Sequence, residues 1–256
     1  MRPMVLMVGH GSRDAPANDE FRELVGRYQA RRPELEVRHG YVELAEPALA
    51  DALAAIPSGC QEVTLLPVFL FAAGHVKRDI PRALADIGRR RPEVRFAAAG
   101  AIGVHRAMAE LAVERAAEVA DLSAAAAART AVIVVGRGAS DADANGDFCK
   151  LTRLIGETKP FSWVIPSFMG VTRPRFEETL EFVACSRPER ILVIPYLLFA
   201  GRLLNQLRDQ VAAFGARQAT IEMALAPQLG VHERLLTVLD ERLAVVYSPR
   251  VRSTGD

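Results

Sequence analysis

Residues 5–21 read VLMVGHGSRDAPANDEF, and residues 132–148 read VIVVGRGASDADANGDF. Each is a short apolar run that empties into a glycine-flanked loop, then a polar turn, then the start of a helical pattern. A separation of 127 positions carries His10 to Arg137, Asn18 to Asn145 and Phe21 to Phe148. The same separation carries Pro47 to Pro174, Gly74 to Gly201, and His105 of IGVH to His232 of LGVH. Landmarks kept in order over the whole length mark an internal duplication. The copies meet near DLSAAAAART, residues 121–130, which divides the chain into an N-terminal domain 1–125 and a homologous C-terminal domain 126–256.

Each copy alternates strand and helix. In the first, Met4 to Val8 is continuously apolar, and Phe21, Leu24, Val25 and Tyr28 follow at helical spacing. A strand is predicted near Val37 to Val42, then a helix carrying Leu49, Leu53 and Ile56, then a long strand from Val63 to Phe71. Pro81 stands where a helix can open, a weaker strand runs near Val94 to Ala98, and a last helix passes through Met108 and Leu111. Apolar strands separated by amphipathic helices predict parallel sheets covered on both faces. The fold class is therefore α/β, with two homologous doubly wound parallel-sheet domains.

Bulk properties exclude several classes of function. Half of the 256 residues are hydrophobic, enough for a large core, and a net charge of +1 gives no general affinity for nucleic acid or an anionic membrane. Cys60, Cys149 and Cys185 are widely spaced and odd in number, the pattern of thiols in a reducing compartment. The first apolar run ends at His10, too soon for a signal peptide, and no stretch has the length of a membrane span. A soluble cytoplasmic protein is the expectation.

In doubly wound sheets ligands gather beyond the carboxyl ends of the strands. His10 follows the first strand, Glu43 the second, and His75 the third through FAAGH. Two imidazoles and a carboxylate form a donor set suited to Co²⁺, Fe²⁺, Ni²⁺ or Zn²⁺. Each residue alone could be an ordinary surface group, and Glu46 lies near enough to replace Glu43. His39 falls inside a strand, a structural position, and His105 and His232 stand at equivalent helix starts, where capping is expected. GHGS could also cradle a phosphate at a helix N-terminus, although it lacks the phosphate-loop lysine and the dinucleotide glycine spacing.

VGHGSRDAPANDEF, YVELAEPALADAL and LLPVFLFAAGHVKRDIP together resemble the class II chelatases, in particular the sirohydrochlorin cobalt and iron chelatases. The second copy resembles the long form of that family, in which two homologous domains share one chain. The resemblance implies insertion of a divalent metal into sirohydrochlorin, a carboxylate-rich tetrapyrrole, without nucleotide hydrolysis and without a cofactor beyond the metal substrate. It implies metal binding and proton acceptance at His10 and His75, an acidic active-site role for Glu43, and substrate contact by Leu70, Phe71, Ala72, Ala73 and Gly74. The chemistry agrees, because insertion strips water from the ion and removes two pyrrole protons, and neutral imidazole can serve either step. Arg13, Lys77, Arg78 and Arg82 would alone read as a solvated charged face; beside such a substrate they become candidate anchors, Arg13 and Lys77 above all, with Ser12 a further contact.

The second copy has Arg137, Gly170 and Arg202 where the first has His10, Glu43 and His75. Arginine is neither base nor ordinary ligand at neutral pH. The second half is therefore expected to close the cleft and to offer Arg137 or Arg202 to substrate carboxylates, with plain surface charge as the alternative for both arginines. One productive site per chain and a monomer follow from that reading. Cobalt insertion for cobalamin biosynthesis is preferred from the long-form resemblance, with iron insertion for sirohaem as the alternative. A non-catalytic metal or tetrapyrrole carrier is a further alternative, but the chain has no His-rich tract and no Cys-x-x-Cys pair. A nucleotide-binding module stands last.

Overall fold

The structure is a computed structural model and describes residues 2–247. Residue 1 and residues 248–256, the outer ends of the two predicted domains, lie outside the described residues. The first half runs β1 (Met4–Gly9), α1 (Ala15–Arg31), β2 (Glu36–Tyr41), α2 (Leu49–Ala54), β3 (Glu62–Pro67), α3 (Ile80–Arg90), β4 (Arg95–Ala98) and α4 (Arg106–Ala117). A short α5 (Ala124–Ala127) leads to the second half, with β5 (Thr130–Gly136), α6 (Ala142–Gly156), β6 (Trp163–Phe168) and α7 (Phe176–Ala184). It ends with β7 (Arg190–Pro195), α8 (Arg202–Arg217), β8 (Glu222–Leu225) and α9 (Glu233–Tyr247). Every strand pairing is parallel, and the sheet orders β2-β1-β3-β4 and β6-β5-β7-β8 are the same. Gly9 pairs with Tyr41 and Val8 with Pro67, so the loops after β1, β2 and β3 leave one edge together.

The run MVLMVG is apolar throughout because both of its faces are covered. Val5 and Met7 point into a central core shared with Val132 and Val134 of the second sheet. Met4, Leu6 and Val8 point outward against Leu49 and Leu53 of α2 and Ile80 and Ile87 of α3. The second sheet repeats this arrangement, with Ala131, Ile133 and Val135 against Phe176, Leu180, Leu207 and Phe214.

Two expectations are corrected. β3 stops at Pro67 rather than Phe71. Beyond it Val68 keeps one bond to Val8 O, while the carbonyls of Phe69 and Leu70 accept from Ile102 and Gly103. The apolar residues 69–71 have left the sheet and turned toward the cleft. Ile56 is buried, but it lies past the end of α2 at Ala54. The 127-residue offset also slips by one where Pro67 of β3 matches Pro195 of β7. It returns because Ala72-Ala73-Gly74 is answered by only Ala200-Gly201.

The last helix of each half packs on the other half. α4 lies against α6 and β7, while α9 lies against α4 and β3. Arg31, the last residue of α1, and Arg32 just beyond it both pair with Asp240 of α9. The crossing is clipped symmetrically: Arg242 Nε donates to Ile102 O at 3.0 Å, and Arg115 Nε to Leu229 O at 2.9 Å. His105 and His232 take their expected capping roles, each Nδ1 accepting from the backbone N–H two residues on, of Ala107 and Arg234. Met108 and Leu111 are fully buried in the crossing, each contributing roughly 1.5–3 kcal/mol of apolar burial. Among the described residues no helix is long and apolar enough to cross a membrane.

Candidate active site

Gly11 sets the geometry of the first loop. Its φ is +88°, and a Cβ there would stand 1.8 Å from Glu43 O, so glycine alone admits the loop after β2. Glu43 N–H donates to His10 O at 3.0 Å, zipping the two loops together. His10 Nε2 then lies 3.3 Å from Glu43 Oε1. A π-helical turn, His75–Asp79, opens α3 and brings His75 Nε2 to 4.0 Å from the same oxygen. The imidazole rings meet edge to face with centroids 4.8 Å apart. One donor atom from each of His10, Glu43 and His75 lies within 4.8 Å of the others.

The outer nitrogens are already engaged. His75 Nδ1 donates to the Asp79 carboxylate at 2.7 Å, and His10 Nδ1 donates to Gly11 O at 3.1 Å. On each ring the lone pair therefore sits at Nε2, the nitrogen that can meet an ion or a proton. Arg137 Nη1 reaches His10 Nε2 at 3.3 Å from across the cleft. Burial, followed by the charges of Arg137 and His75, holds His10 below histidine's ordinary pKa, against the opposing pull of Gly11 O and Glu43. Its imidazole is neutral near pH 7.

A cleft of about 930 Å³ separates the strand ends of the two sheets. That is near the top of the usual range for small-molecule sites, roughly 300–1,000 Å³. Its apolar floor carries Phe21, Phe71, Phe148, Phe168 and Tyr196.

Of the residues predicted from sequence, His10, Glu43 and His75 come together, whereas Glu46 turns away to accept from Ala48 N–H at 2.9 Å. Leu70, Phe71, Ala73 and Gly74 line the cleft; Ala72, Arg13, Glu43 and Lys77 lie off its wall. Ser12 lines it too, but its hydroxyl accepts from Asp14 N–H and its own N–H donates to Asn18 Oδ1, both at 3.0 Å. Those two amides are spent on holding the loop. Lys77 Nζ is engaged by Asp141 at 2.7 Å and Asp143 at 3.0 Å, across the gap between the halves. Arg202 lines the cleft, and its N–H donates to Asp14 Oδ2 at 2.9 Å. Asp14 and Asp141 are repeat equivalents, so each half latches the other with the same carboxylate.

Asp79 and, apart from Arg202, the second-half wall from Leu197 to Leu204 were not singled out from sequence. The His75–Asp79 spacing of i, i+4 was the available signal for the first. Mapping the Leu70–Gly74 segment onto the second copy was the signal for the wall.

The second loop keeps the first loop's backbone. Gly138 has φ +84°, and a Cβ there would stand 2.2 Å from Gly170 O. Gly170 N–H donates to Arg137 O at 3.1 Å, and Asn145 brackets Ala139 as Asn18 brackets Ser12.

A family model described as CbiX matches residues 4–119 and again residues 131–246. The chain is 36% identical over 240 residues to sirohydrochlorin cobaltochelatase of Priestia megaterium, covering 93% of this chain and 78% of that one. It is 27% identical over 233 residues to sirohydrochlorin ferrochelatase of Bacillus subtilis, covering 91% and 87% respectively. Among solved structures it resembles SirB from Bacillus subtilis with Fe³⁺, with a TM-score of 0.83 at 25% identity over 97% of this chain and 96% of that one. The sirohydrochlorin chelatase SirB from Bacillus subtilis subspecies spizizenii in complex with cobalt gives 0.79 at 25% identity, over 95% and 94%.

Proposed function

The chain belongs to the CbiX family, as a long-form class II chelatase carrying the family unit twice, and from that premise we propose that His10, Glu43 and His75 insert Co²⁺ into sirohydrochlorin. One observation carries the assignment: one donor atom from each of His10, Glu43 and His75 lies within 4.8 Å of the others, and both imidazoles line a cleft with an aromatic floor. A flat conjugated ring fits such a floor, and its peripheral carboxylates suit Arg137 and Arg202 on the opposite wall.

Insertion exchanges two pyrrole N–H bonds for metal–nitrogen bonds and releases two protons. His10, kept neutral by burial and Arg137, is suited to hold the incoming ion. His75, backed by Asp79, is suited to accept a ring proton, because the carboxylate stabilises the imidazolium that forms. Glu43 touches both histidines and can hold the ion or take the second proton. No nucleotide takes part. Residues 1–125 carry the chemistry in this reading, residues 126–256 hold the substrate, and one cytoplasmic monomer suffices.

The preference for Co²⁺ is supported by the 36% identical relative, a cobaltochelatase; the 27% identical ferrochelatase supports Fe²⁺ as the second reading. The test is anaerobic insertion into sirohydrochlorin with Co²⁺, Fe²⁺ and Ni²⁺ in parallel, followed by absorbance without nucleotide. Many turnovers, fastest with Co²⁺, are expected. Faster turnover with Fe²⁺ would establish the second reading, and stoichiometric capture without turnover would make the protein a carrier.

A further inference from the structure

Leu44 and Val171 are repeat equivalents, each one residue beyond the bond that zips its half's two loops together. Both have φ of +63°. That region is uncommon for any side chain and a genuine outlier for a β-branched one such as valine. Neither is held there by packing, since Leu44 is 47% and Val171 59% exposed. Seven large apolar side chains are exposed among the described residues, and of these only Leu44 and Val171 line the cleft. A backbone held against its preference to keep an apolar side chain in water opposes both local energetics and the hydrophobic effect. The feature also survives in the half that lacks all three metal-site residues, so it serves something both halves share.

We propose that Leu44 and Val171 are a pair of apolar jaws, one from each half, that grip the ring of the tetrapyrrole and set its tilt toward His10 and His75. The inference rests on the reading that the cleft takes a tetrapyrrole. It assigns substrate contact to two residues outside the metal site. A macrocycle with a charged perimeter offers apolar surface on its faces and ring edges, where leucine and valine side chains make their contact. The strain is held in the free protein so that both side chains already project when substrate arrives.

The test uses Leu44→Gly and Val171→Gly in the full chain, because glycine accepts positive φ without strain. Each is expected to raise KM for sirohydrochlorin, and its dissociation constant measured by sirohydrochlorin fluorescence without metal, about tenfold. The turnover number should change less than KM, and the thermal midpoint should stay at or above the parent's. Leu44→Asn, which tolerates the same backbone but is polar, should bind as weakly as the glycine variant, and Leu44→Met should restore binding. Parent-like KM in both glycine variants, or weaker binding with a lowered midpoint, would overturn the proposal. The parent is assayed alongside: a parent that inserts no metal defeats the chelatase reading itself, whereas an active parent with indifferent glycine variants defeats only the jaws.

Discussion

The loop at residues 9–12 and the loop at residues 136–139 share a backbone and almost nothing else. Both have a glycine at positive φ against the neighbouring loop, an asparagine bracket, and a zipped second loop. One presents His10 beside Glu43; the other presents Arg137 beside Gly170. On the proposed reading the chemistry needs one set of side chains, while the shape of the cleft draws on both loops. Backbone geometry and side-chain identity answer to different demands, and the duplication separates them.

The comparison can be broken first at its chemical end. His75→Ala and His10→Ala should each cut metal insertion by about 10²–10⁴-fold, the usual contribution of a positioned proton acceptor, with the circular dichroism spectrum unchanged. Near-parent insertion in either would show that the first loop is no more chemical than the second. Asp79→Asn should cost about 10–100-fold, the scale of a lost partner behind a ligating or proton-accepting imidazole. Its loss should fall on kcat more than on KM; an unaltered kcat would detach Asp79 from His75's role.

Next comes a test of shape alone. Gly138→Ala places a methyl against Gly170 O and should destabilise the fold by about 1–3 kcal/mol in chemical denaturation, although no reacting group is touched. Parent stability would show that the second loop does not need its glycine. The smallest effect is expected from Arg137→Ala, a few-fold rise in KM for sirohydrochlorin. Its pH profile sharpens the point. His10 is held below the ordinary imidazole value, so its share of the acid limb should lie beneath that value. Removing Arg137 removes one of the influences lowering that pKa, and the acid limb should move to higher pH. A limb that moves the other way would mean that Arg137 does not act through His10.

Much of this arrangement was legible in the sequence. The repeat, the parallel strands and the gathering of His10, Glu43 and His75 follow from apolar periodicity and from the rule that ligands collect at strand ends. The end of β3 was not legible, because an apolar run reads alike whether it pairs in a sheet or lines a cleft; Phe69 to Phe71 do the latter. The engagement of Lys77 by Asp141 and Asp143 was hidden for a different reason, since it joins residues that only the docking of the two halves brings together. The crossing of α4 and α9 was equally hidden. Their amphipathic patterns state that an apolar face must be covered, but not by which sheet.

That crossing bears on ancestry. A single copy of the unit would lack the cover that the other half's last helix gives its sheet, and trading helices with a second copy would restore it. In such a symmetric pair, the positions now held by His10 and Arg137, which touch at 3.3 Å, would both be histidine, with two metal sites facing each other across one cleft. Two doubly charged ions there would repel, and a single ring could serve only one of them. Joining the copies in one chain removed the obligation to be identical. Here one loop carries a permanent positive charge where the other carries an imidazole.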